Sequence, residues 1–197
     1  MKRLAPFLVA LCVLFPIGFG SVPSRADAAA PPAARTVILV RHAEKDPASK
    51  DPRDPSISTA GVARADELAR LLGACGATQI FTSELARTRE TVAPLARRLK
   101  LASESLPAAQ SEVVVARLDA LPAGSVAVVC GHSNTVPRIA ELLGAKLADL
   151  VESQGMPMLA DERYDRVFVI TRPAGGPSSC VELNYGAPAG AISSSGK

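Results

Sequence analysis

Short apolar runs alternate along the chain with longer segments in which apolar residues recur at helical spacing. The runs are rich in β-branched residues and have the length of buried strands. Predicted strands cover residues 36–40, 78–82, 101–106, 125–130, 166–171 and 180–184. Predicted helices cover residues 60–72, 84–99, 112–121 and 131–143. This alternation predicts an α/β, three-layer sandwich: a mostly parallel central sheet with helices on both faces.

Polar residues mark where the predicted helices begin. Thr59, Ser83 and Ser111 each precede a helical segment and are predicted to be its N-cap. Pro94 lies inside the second helix, where it should cause a kink because proline has no N–H to donate. In residues 145–163 the apolar residues follow neither the helical spacing nor the alternation of a strand. This segment is predicted to be irregular and to form a flap.

The first 28 residues have the pattern of an export signal. Lys2 and Arg3 precede a mostly apolar stretch, and Ala26-Asp27-Ala28 fits a small-x-small cleavage site. The apolar stretch is short for a membrane span, so we expect cleavage after Ala28, no stable span afterwards, and a periplasmic or secreted protein. Residues 29–35 are then an Ala/Pro linker, 36–185 one domain, and 186–197 a flexible tail.

Charge and composition narrow the class of partner. The chain of 197 residues has a formal net charge of +3, and removal of residues 1–28 leaves about +1. Such a balance, in a chain without tryptophan, argues against nucleic-acid binding. Oligomeric state is not readable from the sequence.

Cysteines and histidines are too few to suggest a metal site. Three cysteines remain after the signal, so at most one internal disulfide can form, and Cys75 with Cys180 is a possible pair. Cys130 ends an apolar strand and is assigned to the core. Only two histidines are present, and the cysteine spacing fits no metal motif.

Candidate chemistry follows three of the predicted strands. The first ends at Arg41 and His42, the second leads into a helix whose first turn carries Arg87, and the buried strand ends before His132. The carboxyl ends of parallel strands share one edge, so these side chains can converge. Arg87 near a helix N-terminus opposes the helix dipole, and a bound dianion would reverse that effect.

These motifs resemble those of the histidine phosphatase superfamily, which has the phosphoglycerate mutase-like fold. Four segments carry the resemblance in order along the chain. They are Val40-Arg41-His42-Ala43-Glu44, Ser58-Thr59-Ala60-Gly61 with Arg64-Ala65, Ser83-x-x-x-Arg87-x-x-x-Thr91 and Gly131-His132-Ser133.

The resemblance implies a phosphatase without a metal or other cofactor. His42 would attack phosphorus and form a phosphohistidine, while Arg41, Arg87 and His132 would bind the phosphoryl oxygens. Glu44 would orient His42 or its neighbours. The substrate would be a small phosphorylated molecule or a phosphoprotein, attacked at a phosphomonoester or a phosphoramidate bond.

Two departures from the family's pattern leave the general acid unassigned. Ser133 stands where one branch of the family has aspartate, and the region that would carry a cap glutamate is short, at residues 106–110. Glu104, Glu112 and Glu162 are candidates. Without an acid, the chain could instead be a phosphate-ligand binding protein with little turnover. A cell-envelope interaction protein is a third, weaker alternative.

Overall fold

The computed structural model describes residues 33–188. The predicted signal peptide and most of the predicted tail and linker lie outside these residues. In chain order the elements are β1 (Arg35–Arg41), α1 (Thr59–Leu72), β2 (Gln79–Ser83), α2 (Ala86–Leu99), β3 (Ser103–Leu106), α3 (Ser111–Asp119), β4 (Val126–Gly131), α4 (Thr135–Leu142), β5 (Leu150–Ser153), β6 (Met156–Leu159), β7 (Arg166–Arg172) and β8 (Ser179–Asn184).

Six strands form the main sheet, in the order β3-β2-β4-β1-β7-β8. The strands β3, β2, β4 and β1 are parallel, and β7 and β8 add two antiparallel strands at one side. The register aligns Arg41 at the end of β1 with Gly131 at the end of β4. The predicted three-layer α/β sandwich is confirmed.

Alternation along the strands divides the core into two apolar layers. In β1, Val37 and Leu39 face one layer, which Val136 and other residues of α3 and α4 cover. Ile38 and Val40 face the other, which α1 and α2 cover. This arrangement follows from the strand period of two, because a strand with helices on both faces must be apolar on both.

The observed N-cap residues of three helices differ from the predicted ones. The N-cap of α1 is Ser58, whose hydroxyl accepts from the Gly61 amide at 3.1 Å. The residue before α2 is Leu85, without a side-chain cap, and the Asp54 carboxylate accepts from the Ala86 amide at 2.7 Å instead. Ser111 is the first residue of α3 rather than its cap. A carboxylate distant in sequence therefore does the capping at α2.

The segment predicted to be irregular contains a small hairpin. Strands β5 and β6 pair antiparallel, and Leu159 at the end of β6 is buried against the α3/α4 layer. The amide of Leu159 donates to the carbonyl of Ser133 at 2.9 Å, which attaches the hairpin beside the end of β4. The prediction for residues 145–163 was therefore wrong over these two strands.

Cys75, Cys130 and Cys180 are all free thiols, so the possible Cys75–Cys180 disulfide is absent. The two residues pack against different layers of the core, on opposite sides of the sheet. Cys130 is fully buried, as predicted, and its burial raises the pKa of its thiol. Within residues 33–188, no helix has both the length and the apolar character needed to cross a bilayer.

Candidate active site

The predicted site residues meet at the carboxyl end of the parallel strands. Arg41 is the last residue of β1, His42 follows it, and His132 follows β4, the neighbouring strand. On the other side of β4, β2 ends at Ser83 and leads to Arg87 in the first turn of α2. The structure thus brings together all four residues that the sequence selected for catalysis and phosphate binding.

The two imidazoles form a buried pair. The ring centroids of His42 and His132 are 5.3 Å apart in an edge-on arrangement, and the residues are 4% and 8% exposed. Nδ1 of His42 lies 2.8 Å from the carbonyl oxygen of Ala43. A carbonyl only accepts hydrogen bonds, so Nδ1 carries the proton in this contact, and a neutral His42 has its lone pair on Nε2.

Burial keeps both imidazoles neutral at ordinary pH. Desolvation is the main reason that the pKa of His42 falls from 6.5 to about 3, with the positive charges of Arg41 and Arg87 adding to it. Desolvation, followed by the charge of Arg87, also lowers the pKa of His132 to about 4. A neutral imidazole is the form that can act as a nucleophile.

A second contact fixes the ring of His132. Its Nε2 lies 3.0 Å from the hydroxyl of Ser83, which is also 2.9 Å from the hydroxyl of Thr88. The backbone amide of His132 donates to the Thr135 hydroxyl at 2.8 Å. Gly131 must be glycine for this contact, since an added Cβ would lie 2.7 Å from that hydroxyl oxygen.

Arg41 is held by the segment before β7. Its Nη1 donates to the carbonyl oxygens of Ala160 and Asp161, at 2.8 and 3.1 Å, and its guanidinium lies 4.2 Å from the ring centre of Tyr164. Stacking over an aromatic face stabilises the cation and fixes its plane. Sequence reasoning missed Tyr164, because nothing in its neighbourhood resembles a motif and only the fold returns it to the end of β1.

The arginines keep donors that the described residues leave without a partner. Nε of Arg41, and Nε and Nη1 of Arg87, are buried atoms without a hydrogen bond in this part of the chain. The nearest carboxylate oxygen to Nη1 of Arg87 belongs to Asp54 at 3.7 Å, beyond hydrogen-bond distance. Buried guanidinium donors normally have acceptors, so this arrangement suits an anion with several oxygens.

Glu44, predicted to orient His42 or its neighbours, forms an ion pair with an arginine on α1. Its carboxylate accepts from Nε and Nη2 of Arg64, at 2.9 and 2.7 Å. Arg64 also donates to the carbonyl oxygen of Tyr185 at 3.0 Å, so the pair connects the loop after β1 to the end of β8. The backbone beside His42 is held by Thr91, whose hydroxyl accepts from the Ala43 amide at 2.8 Å.

The two histidines and the two arginines of the site line an open pocket of about 380 Å³. Its lining includes Arg41, His42, Lys45, Leu85, Arg87, Ala108, Ala109, His132, Ser133, Asn134, Thr135 and Asp161. The positive charges of Arg41, Arg87 and Lys45 outnumber the single carboxylate, Asp161, by two. The pocket is therefore suited to a dianion such as a phosphoryl group. We call it the phosphate pocket.

The candidate general acids do not line the phosphate pocket. Arg117 binds Glu104 through two contacts of 2.9 Å on the surface. Glu112 accepts from Arg138 at 3.0 Å, which lowers the pKa of that carboxyl and favours its ionised form. Ser133 does line the pocket, where one branch of the resembled family has aspartate. The general acid stays unassigned.

Among the described residues, no group of three or more His, Cys, Asp or Glu side chains is arranged to hold a metal ion. The carboxylates of Asp54 and Asp161 lie 3.7 Å from guanidinium nitrogens of Arg87 and Arg41 respectively. The guanidinium groups of Arg41 and Arg87 line the pocket and can stabilise the negative charge of a bound anion.

Comparison with known proteins agrees with this arrangement. Residues 37–111 match the family model of the histidine phosphatase superfamily (branch 1). The matched part includes Arg41, His42 and Arg87, whereas His132 lies beyond it. No curated protein sequence matches the chain.

Solved structures share the fold at low sequence identity. A Nakamurella multipartitia protein, provisionally assigned as the phosphohistidine phosphatase SixA, is 21% identical at a TM-score of 0.55, over 80% of this chain and 100% of its own. The protein histidine phosphatase SixA, in complex with tungstate, is 18% identical at a TM-score of 0.58, over 76% and 96%. A mycobacterial glucosyl-3-phosphoglycerate phosphatase is 15% identical at a TM-score of 0.57, over 78% and 100%. These likenesses establish the phosphoglycerate mutase-like α/β fold.

Proposed function

We propose that this chain is an exported phosphatase of the histidine phosphatase superfamily. It hydrolyses phosphomonoesters or phosphoramidates through a phosphohistidine at His42, without a metal ion. The observation that carries the proposal is the pairing of two buried, neutral imidazoles with guanidinium donors that have no partner among the described residues. The family match over residues 37–111 supports the assignment to this superfamily.

The first chemical step is transfer of the phosphoryl group to His42. The lone pair on Nε2 forms the bond to phosphorus, and the bond from phosphorus to the leaving group breaks. The leaving oxygen or nitrogen keeps that electron pair and takes a proton, from an acid or from water. The proton on Nδ1, held by the Ala43 carbonyl, keeps the imidazole oriented while its charge rises.

The second step returns the enzyme to its starting state. Water attacks phosphorus, the bond from phosphorus to Nε2 breaks, and its electron pair returns to His42. Inorganic phosphate leaves with the oxygen of the water and its protons, one of which can pass to solvent. In both steps, negative charge on the phosphoryl oxygens is stabilised by Arg41 and Arg87. The Nε2 atom of His132 contacts Ser83, which fixes the plane of the ring. When the other ring nitrogen, Nδ1, carries the proton, it donates a hydrogen bond to the same phosphoryl oxygens.

Export and the type of substrate are parts of the same proposal. The charged, apolar and small-residue pattern of residues 1–28 supports a periplasmic or secreted location. The open mouth of the phosphate pocket supports either a small phosphorylated molecule or a phosphorylated protein side chain. The short segment at residues 106–110 supports the proposal that this protein is a histidine phosphatase with a small cap.

One observation favours a second candidate function. The only carboxylate among the described residues that line the phosphate pocket, Asp161, has a side chain that is 95% exposed and lies 3.7 Å from Arg41. Its carboxylate lies beside a guanidinium at the open mouth, and no other carboxyl group among the described residues lines the pocket to protonate a leaving group. A phosphate-binding protein with little turnover would fit the same pocket.

The test is a screen of phosphate esters against the purified mature protein without added metal. A phosphatase releases inorganic phosphate over many turnovers, and His42→Ala abolishes that release. A binding protein would bind inorganic phosphate or vanadate but release no phosphate from any ester. Failure of both turnover and anion binding would overturn both candidates.

A further inference from the structure

A second cavity of about 420 Å³ adjoins the phosphate pocket. The two share Ala108, Ala109, Asn134 and Thr135 in their linings, so they form one continuous surface. A phosphate ester bound with its phosphoryl group at His42 has a leaving group that must occupy space next to the phosphate pocket. We call this second cavity the leaving-group groove.

The groove has an apolar side and a charged side. Met156, 46% exposed, and Pro157 from β6 form part of the apolar side, together with the two alanines. The charged side consists of Glu112 from α3, with Arg138 and Glu141 from α4. Lining of this kind can contact a carbon skeleton on one side and a polar or charged group on the other.

Carboxylates exceed cations in the groove. Arg138 donates to Glu141 from Nη1 at 2.9 Å and to Glu112 from Nη2 at 3.0 Å, so two carboxylates share one guanidinium. The hydrogen bond from Arg138 lowers the pKa of Glu112, so this carboxylate is ionised at neutral pH. The groove therefore carries one excess negative charge, next to a phosphate pocket with two excess positive charges.

We infer that the leaving-group groove selects substrates whose leaving group carries a cation, such as an ammonium or guanidinium group. The inference rests on the proposed function, because it assigns the leaving group of that reaction to a place. A dianion followed by a cation matches the sequence of charges from the phosphate pocket into the groove. Amino-alcohol phosphates, and phosphorylated side chains followed by a basic residue, have this chemistry.

The test uses three benzylphosphonates that differ only at the para position: aminomethyl, methyl and carboxymethyl. A phosphonate has no ester bond to hydrolyse, so binding to the wild-type protein can be measured by calorimetry whether or not the protein turns over. We expect the aminomethyl ligand to bind about twofold to fivefold more tightly than the carboxymethyl ligand, because an exposed charge pair contributes up to about 1 kcal/mol. High salt should reduce that ratio.

Charge variants separate the groove from properties of the ligands themselves. The double variant Glu112→Gln/Glu141→Gln changes the groove from one excess negative charge to one excess positive charge, so it should abolish or reverse the preference for the aminomethyl ligand. Arg138→Gln should increase that preference. Glu104→Gln is the matched control, since Glu104 also pairs with a surface arginine but lies outside the groove. Both groove glutamates are more than half exposed, so the variants should fold.

Hydrolysis of aryl phosphates with the same three substituents is measured in parallel, to test turnover. Equal or tighter binding of the carboxymethyl phosphonate to wild type, or a ratio that the double variant leaves unchanged, would overturn the groove assignment. Charge-selective binding of the phosphonates without hydrolysis of any aryl phosphate would support the groove but contradict the proposed catalysis. The two claims can thus fail separately.

Discussion

Replacing His42 with alanine should change the stability of the protein by an amount that depends on pH. The pKa of His42 is about 3 in the folded protein and 6.5 in the unfolded chain. Between pH 3 and pH 6.5, the unfolded chain binds a proton at His42 that the folded protein excludes. The free energy of unfolding therefore has its full value above pH 6.5 and falls as the pH decreases. One pKa unit corresponds to about 1.4 kcal/mol, so His42 alone costs about 2 kcal/mol at pH 5 relative to pH 8.

The variant lacks this proton, so its stability relative to wild type should rise by about 2 kcal/mol between pH 8 and pH 5. Any cost of the cavity left by the imidazole is the same at both pH values and cancels in the comparison. Urea unfolding of the tag-free mature protein at both pH values measures it, with Ser133→Ala as a pocket variant that does not titrate. A relative stability that shifts by less than about 0.5 kcal/mol would mean that His42 is not desolvated as described.

Three further predictions concern the chemistry. Arg87→Ala should weaken inhibition by phosphate or vanadate about tenfold or more, and Arg87→Lys should recover only part, since lysine lacks the bidentate fork; unchanged inhibition constants would exclude Arg87 from the site. Activity should survive excess EDTA, and a loss restored by Mg²⁺ or Zn²⁺ would contradict the metal-free mechanism. Aryl phosphates and phosphoramidates should be cleaved faster than alkyl phosphates, and Ser133→Asp should raise activity on alkyl esters most. Values of kcat/KM that do not depend on the pKa of the leaving group would show that the enzyme has a general acid.

The strands and the site edge were predictable because they depend on local pattern. An apolar run such as residues 125–130 has few alternatives to a buried strand, and a parallel sheet puts the ends of its strands at one edge. His42 and His132 could be brought together from that rule alone. Their burial could not, because it depends on the surrounding segments, including the one that carries Tyr164.

The errors in the sequence predictions come from contacts between distant residues. Glu44 was predicted to orient His42 or its neighbours, and the structure adds a partner that the prediction lacked, Arg64 on the next helix. Ser83 was assigned as a helix cap, but its hydroxyl contacts His132, while Asp54 accepts from the first amide of α2. In each case a short-range rule was displaced by a partner that only the tertiary fold supplies.

Rapid quenching of the enzyme during turnover of an aryl phosphate is the most direct test for a phosphohistidine at His42. We predict that mass spectrometry of the quenched protein finds one phosphoryl group on His42. The adduct should be stable in alkali and lost in acid, should form within the first turnover, and should be absent from the His42→Ala variant. Steady release of phosphate with no adduct on His42, or an adduct on another residue that persists in His42→Ala, would contradict the mechanism.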